Sequence, residues 1–406
     1  MYSGVRSAIC LAVILTMPTA AFSDAPIDPQ KLYAQAKAGD VEAMCELSNL
    51  LYNGSVVKQD LQASYKWAEA GAKLDAAQCI NNLGIHLFDG KIVQKDERRA
   101  FALFSAAANK DYAIAQRNLA IIYIEGRAGQ ARNPSMAKYW FSRAAAQGDA
   151  ASQEQLGYLL LHDDDGVKAD HSAAFDWFIA AAEQDLPYSQ WVVGNMLAVG
   201  DGTSKDEREA VRWWIKSASN GFAPAQLSAG IALMNGAGVH RDAEYGIHWL
   251  EKVGTRLDAR TKDLGGAAQA VLAEVFEKGI GGVRPDPYRA REHWKKAADL
   301  GVDGAAEALA AIDKAILSAD ASNSPTADEA LAGLALLGVL GALASGGTSD
   351  SDSECDLPSY TQNWSQAAKD YECYQRGATE RFNEEQDRMR KQNQWELECY
   401  GLGSCF

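Results

Sequence analysis

The chain is poor in the residues that carry familiar chemistry. Its 406 residues include six histidines. No two of them stand in the His-Glu-x-x-His spacing that sets two imidazoles around zinc on one helical face. There is no Gly-x-Ser-x-Gly elbow, and the Gly-rich stretches lack the Lys-Ser/Thr pair of a phosphate loop. The acidic run His162-Asp163-Asp164-Asp165-Gly166 has consecutive rather than alternating acids and no Glu at the twelfth position. It therefore reads as a solvated loop, not a calcium loop. No nucleophile or general base stands out, and the expectation is a non-enzyme without metal or cofactor. Positive charge is also short. Lys and Arg number 39 against 54 Asp and Glu, for a net charge of −15 and a pI near 4.9. That balance argues against nucleic acid or an anionic membrane surface as the main partner. Long apolar runs are missing too. Ala8–Met17 and Ala330–Ala344 both fall short of the roughly 20 residues a spanning helix needs.

What the sequence has is a period. Ala43, Cys79, Ala115, Ser152, Ser189, Ala225, Ala268 and a truncated Ala305 each open the same pattern, 36 or 37 residues apart except for one interval of 43. Counting from these residues as offset zero, offset four is apolar and offset five is small: Leu47-Ser48, Leu83-Gly84, Leu119-Ala120, Leu156-Gly157, Val193-Gly194, Ala229-Gly230 and Leu272-Ala273. Apolar offsets zero, four and eight share one helical face. The small residue lets a neighbouring helix come close. Offset eleven is Gly54, Gly90, Gly126, Gly200, Gly236 and Gly279, with Asp163 in the fourth copy. Gly there suits a left-handed helix C-cap. A second segment in each copy carries an aromatic: Trp67, Phe104, Trp140, Trp177, Trp213 or Trp214, Trp249 and Trp294. A period of this size signals a solenoid, in which stacked helix pairs share one core. The 43-residue interval reads as a longer loop around Arg256 to Gly265.

Leu-Gly-x-x-Tyr-x-x-Gly followed by Ala-x-x-Trp-x-x-x-Ala-Ala-x-x-Gly resembles the Sel-one-like repeat family, a cousin of the tetratricopeptide repeats. Seven copies span about Asp40 to Leu317. The expected fold is all-α: a right-handed α/α solenoid of about seven helix-pair repeats over residues 24–317, with a cysteine-containing helical tail. The resemblance implies a concave groove lined by the first helices. By analogy with tetratricopeptide repeats, offsets minus one, two, six and nine would face it. In the middle copies these are Gln78, Asn81, Ile85 and Phe88; Ile114, Arg117, Ile121 and Ile124; Tyr188, Trp191, Asn195 and Ala198. This mixture of apolar, aromatic and amide groups suits a peptide or partner helix. The resemblance also implies a scaffold or regulator of a bacterial envelope process.

The chain ends carry further expectations. Residues 1–23 read as a secretory signal: Arg6, the short apolar run Ala8–Met17, then small residues before Ser23. Cys10 would leave with it. Six cysteines remain, an even number that suggests disulfides in an exported, periplasmic chain. Cys45 and Cys79 lie on adjacent first helices and form a plausible pair. Cys355, Cys373, Cys399 and Cys405 would staple a helical tail over 357–406. Within the linker 318–356, Ala330–Ala344 has three readings: a helix docked on the solenoid or a partner, a membrane contact, or a flexible tether. Two rival functions follow. One is an envelope assembly factor tethered to the membrane by 330–344. The other is a cell-wall-acting enzyme, for which only Glu154 and Glu274, three repeats apart, fall on groove positions.

Overall fold

Aspartate begins most of the helices. Asp28, Asp40, Asp60, Asp96, Asp149, Asp206 and Asp286, with Asn133, each accept a backbone N–H from the first helical turn. These side chains satisfy donors that have no partner inside a helix. The computed structural model describes residues 28–54, 56–254 and 262–321. The signal-like segment, Ala330–Ala344 and the four tail cysteines lie outside the described residues.

The described chain is helical throughout, apart from loops, one 3-10 turn and an isolated bridge between Asp164 and Val167. It falls into two compact units divided between Ala180 and Ala181. The first holds α1 (Pro29–Lys37), α2 (Val41–Asn53), α3 (Leu61–Lys73), α4 (Ala77–Asp89), α5 (Glu97–Asn109), α6 (Ala113–Glu125), α7 (Pro134–Ala146), α8 (Ala150–Leu160) and most of α9 (His171–Glu183). The second holds α10 (Pro187–Val199), α11 (Glu207–Ser219), α12 (Ala223–Asn235), α13 (Ala243–Gly254), α14 (Lys262–Lys278), α15 (Pro287–Asp299) and α16 (Ala305–Ala321). Within each unit, consecutive helices pack as antiparallel neighbours in the manner of a solenoid. The offset-eleven glycines cap the first helices with φ from +66° to +78°, the conformation that a Cβ disfavours. The fourth copy, without that Gly, has a first helix of 11 residues where 13 is the rule.

The core follows from pairing a small residue with a large one. In the first unit, a Cβ on Gly84 would stand 2.7 Å from the ring of Phe104, and one on Gly157 would stand 3.0 Å from Phe178. In the second unit Gly194 faces Trp214 at 2.6 Å and Gly230 faces Leu250 at 2.7 Å. The side chain that fills the gap at offset five thus comes from the second helix of the same repeat. Gly84→Leu should lower stability by about 1–3 kcal/mol through overpacking, read as a shift in a urea melt.

This geometry corrects the aromatic column. The deep positions are Ala68, Phe104, Phe141, Phe178, Trp214, Leu250 and Trp294, all buried. Trp67, Trp177 and Trp213 are one residue earlier and only half-buried. Trp140 and Trp249 share that earlier position and are also covered. The long interval is corrected as well. Lys262–Gly265 form the first turn of α14, a helix of 17 residues, so this part of the expected loop is helical. α16 runs to Ala321, past the expected boundary at 317.

Cys45 and Cys79 are disulfide-bonded, with Cα atoms 4.9 Å apart, and link α2 to α4. Cys45 sits in the apolar cluster of Leu32, Ala36, Ala43, Met44, Leu47 and Leu50, where α1 covers α2.

Candidate partner-binding face

The first helices pack on one another through their offsets two and three. In the first unit, Asn118 Nδ2 donates to Asn81 Oδ1 at 2.9 Å, and Asn82 Nδ2 donates to the Cys45 carbonyl at 3.2 Å. In the second unit, Trp191 Nε1 donates to Ser228 Oγ at 3.2 Å. Offset one carries a feature that the motif reading missed. Gln116, Gln153, Gln190 and Gln226 each donate Nε2 to the carbonyl of Ala108, Ala145, Ala182 and Ala218, 3.1–3.3 Å away. Each glutamine satisfies an end carbonyl of the preceding helix. The recurrence of Gln at one offset in five successive copies, Gln269 included, was the available signal.

These contacts decide where the expected groove residues lie. Asn81, Ile85, Phe88, Arg117, Ile121, Tyr188, Trp191 and Asn195 are all buried. Gln78, Ile114, Ile124 and Ala198 are half-buried. Arg117 is 1% exposed. Its Nη1 lies 2.5 Å from Asp149 Oδ1. Asp149 also accepts from the backbone N–H and hydroxyl of Ser152, so it caps α8 and holds the cation at once. Burial beside this pair raises the Tyr112 phenol above its usual range. Phe88 lies beneath the Arg127 guanidinium, 4.4 Å from ring centre to Cζ. In the second unit Trp191 sits 5.7 Å from Phe222 and 6.1 Å from Tyr188, and Asn195 Oδ1 accepts from Trp214 Nε1 at 2.9 Å. Side chains read from sequence as contacts for a partner are thus already engaged within the fold. Glu154 is buried, and Glu274 is half-buried beside Lys278 at 3.7 Å.

Two buried histidines also belong to the core. His86 and Ser64 lie 2.9 Å apart, Nε2 to Oγ, and the Ser64 hydroxyl donates to the Ser48 carbonyl at 2.7 Å. With its proton used there, Ser64 accepts from His86, which fixes the Nε2–H tautomer. Burial pulls the His86 pKa down to about 4, with Asp89 opposing and Lys91 reinforcing. Burial likewise lowers His293 to about 4, helped by Lys296 and opposed by Glu292. His293 Nδ1 meets Gln269 Oε1 at 2.7 Å. An unfolded histidine titrates near 6.5, so between pH 6.5 and 4 the unfolded chain binds protons that the folded chain refuses. Stability should therefore fall as pH drops through that window. Glu277 and Glu125, raised by burial, act in the opposite sense at its lower end. The decisive measurement is a pair of Tm–pH curves: His86→Gln should flatten the slope between pH 6.5 and 4 relative to the parent chain.

Among the described residues there is no cluster of His, Cys, Asp or Glu fit for a metal, and no helix long and apolar enough to cross a membrane. The Sel1 repeat model matches residues 41–75, 77–112, 113–149, 150–186, 187–222, 223–252 and 266–302. The chain belongs to the Sel1 repeat family. Proteins of this family are protein-interaction scaffolds, typically non-catalytic. No curated protein matches this Sel1 repeat chain. Similar solved structures include a Sel1 repeat protein from Oxalobacter formigenes, 28% identical over 63% of this chain and 99% of that one, with a TM-score of 0.49. Another is c5321, a protective antigen of uropathogenic Escherichia coli with an SLR fold. It is 24% identical over 71% of this chain and 67% of that one, with a TM-score of 0.46. A third, from Klebsiella pneumoniae, is 20% identical over 50% of this chain and 98% of that one, with a TM-score of 0.36.

Proposed function

We propose that this Sel1 repeat protein is an exported scaffold or regulator of an envelope process that binds a partner protein or peptide. The observation that carries the reading is the run of seven matched repeats, since repeats of this kind exist to present extended surface. The short apolar run after Arg6 and the Cys45–Cys79 bond support export, because disulfides persist in oxidising compartments. The binding face is set on the half-buried positions of the first helices in the first unit, Gln78, Ile114 and Ile124. The buried members of the expected groove set act by fixing these positions.

The test begins with crosslinked capture from envelope extract. Ile124→Asp places a carboxylate in the half-buried row and should reduce capture of a specific partner at least about tenfold, with Tm nearly unchanged. Retention of that partner by Ile124→Asp would move the interface to another surface, first of all to the chain beyond Ala321. Export is checked separately: the mature N-terminus in the soluble envelope fraction should lie near Ser23 and Asp24.

A further inference from the structure

The first repeat is held differently from those that follow. Its two packing positions are Ser48 and Ala68, where the next repeat has Gly84 and Phe104. It therefore lacks the large side chain that locks a second helix onto a first. The buried cluster around α1 and α2 includes one buried residue from α4, and that residue is Cys79. The other ties from α2 and α3 to α4 include the edge-on contacts of Tyr52 and Tyr65 with the His86 ring, and several polar ones. Asn82 Nδ2 donates to the Cys45 carbonyl at 3.2 Å, His86 meets Ser64 at 2.9 Å, and the Tyr52 hydroxyl donates to Asp89. Polar contacts of this kind exchange for water at small net gain. α3 is fitted to the disulfide itself, because a Cβ on Gly71 would overlap Cys79 Sγ.

We propose that residues 29–73 form a conditionally folded unit, which docks on α4 only once the Cys45–Cys79 bond exists. Without the bond, α1–α3 open and uncover the α4 surface of Cys79, Asn82 and His86. The chemistry is a two-electron exchange. A dithiol gives two electrons and two protons to the protein disulfide, leaving two Cys thiols and a disulfide in the reductant. Cys45 and Cys79 are 1% and 0% exposed, so a thiol reaches neither sulfur while the unit is docked. The redox state is therefore set during folding and then retained, which makes the first repeat a record of the compartment where the chain folded.

The experiment compares three full-length samples by peptide-resolved amide hydrogen exchange: the oxidised chain, the chain refolded in dithiothreitol, and Cys45→Ala/Cys79→Ala. Amides of α2 and α3 should exchange roughly 100-fold faster in both samples without the bond, while α5–α8 and α10–α15 keep their rates. Trypsin should then cut first at Lys58, Lys66 or Lys73. The dithiol sample keeps both cysteine side chains, so opening there cannot come from a truncated core. Equal protection of α2 and α3 with and without the bond overturns the proposal, and so does a loss spread evenly over all helices. Ser48→Gly/Ala68→Phe, built into the bond-free chain, installs the packing pair of the next repeat and should restore protection. If α2 and α3 stay open in that variant, the missing pair is not what makes the unit conditional.

Discussion

Arg117→Ala should lower stability by about 3–5 kcal/mol, the range for removing one partner of a buried ion pair. Arg117 and Asp149 side chains are 2% and 3% exposed. Truncating the arginine leaves a carboxylate out of water without its cation, and that uncompensated charge is the main loss. Asp149→Asn retains an oxygen to cap α8 through Ser152 but has no charge to strand. Asp149→Asn should therefore make the second substitution far less harmful. Arg117→Ala/Asp149→Asn should lose clearly less than the two single changes added together, by at least 1 kcal/mol of coupling. Urea melts of the four chains measure this. Additive losses would show that Arg117 is held by something other than Asp149. A normal melt for Arg117→Ala would return Arg117 to the exposed partner face that its offset suggests.

The ion pair also shows where sequence reasoning stops. The helix pairs, their spacing and the glycine caps were legible, because each rests on local chemistry repeated in register. Gly54, Gly90 and Gly126 can be recognised as left-handed caps without knowing what packs nearby. Arg117 could not be placed in that way. Its partner, Asp149, stands 32 residues further on and already has a local role as an N-cap. Nothing in either neighbourhood says that the two meet. The offsets borrowed from tetratricopeptide repeats mark which side chains point toward the next first helix. They do not tell how much water that helix leaves between. Here the small residues at offset five bring the second helices in, and offsets two and three of successive first helices bond directly. That contact takes up Asn81 and Trp191, while Arg117 and Asn195 are taken up by Asp149 and Trp214.

The aromatic column was legible only as a pair of adjacent possibilities. Neighbouring positions on a helix differ by about 100°, so two consecutive aromatics cannot both face the glycine across the repeat. Trp213 and Trp214 pose this choice in one place. Trp214 is buried against Gly194 and donates to Asn195 at 2.9 Å. Trp213 is half-buried, with Lys216 Nζ 5.3 Å from its ring centre. Trp214→Ala should therefore destabilise the chain by about 3–5 kcal/mol, the range for emptying a large aromatic site in a core. Trp213→Ala should lose no more than about 1 kcal/mol, since its outer face already meets water. Trp214→Phe separates shape from polarity. Phe fills this position in Phe104, Phe141 and Phe178, so the remaining loss, about 1–3 kcal/mol, would reflect Asn195 left without its donor. The pairing itself is tested by Gly194→Ala. In the parent chain its methyl would meet the indole at 2.6 Å and should destabilise. In the Trp214→Ala background the same methyl enters vacated space and should be neutral or stabilising. A sign change between the two backgrounds is the signature of direct contact between offset five and the second helix. Equal losses in both would mean that the methyl clashes with the Ala210 carbonyl, 3.0 Å away, and that backbone rather than the indole sets the spacing of the pair.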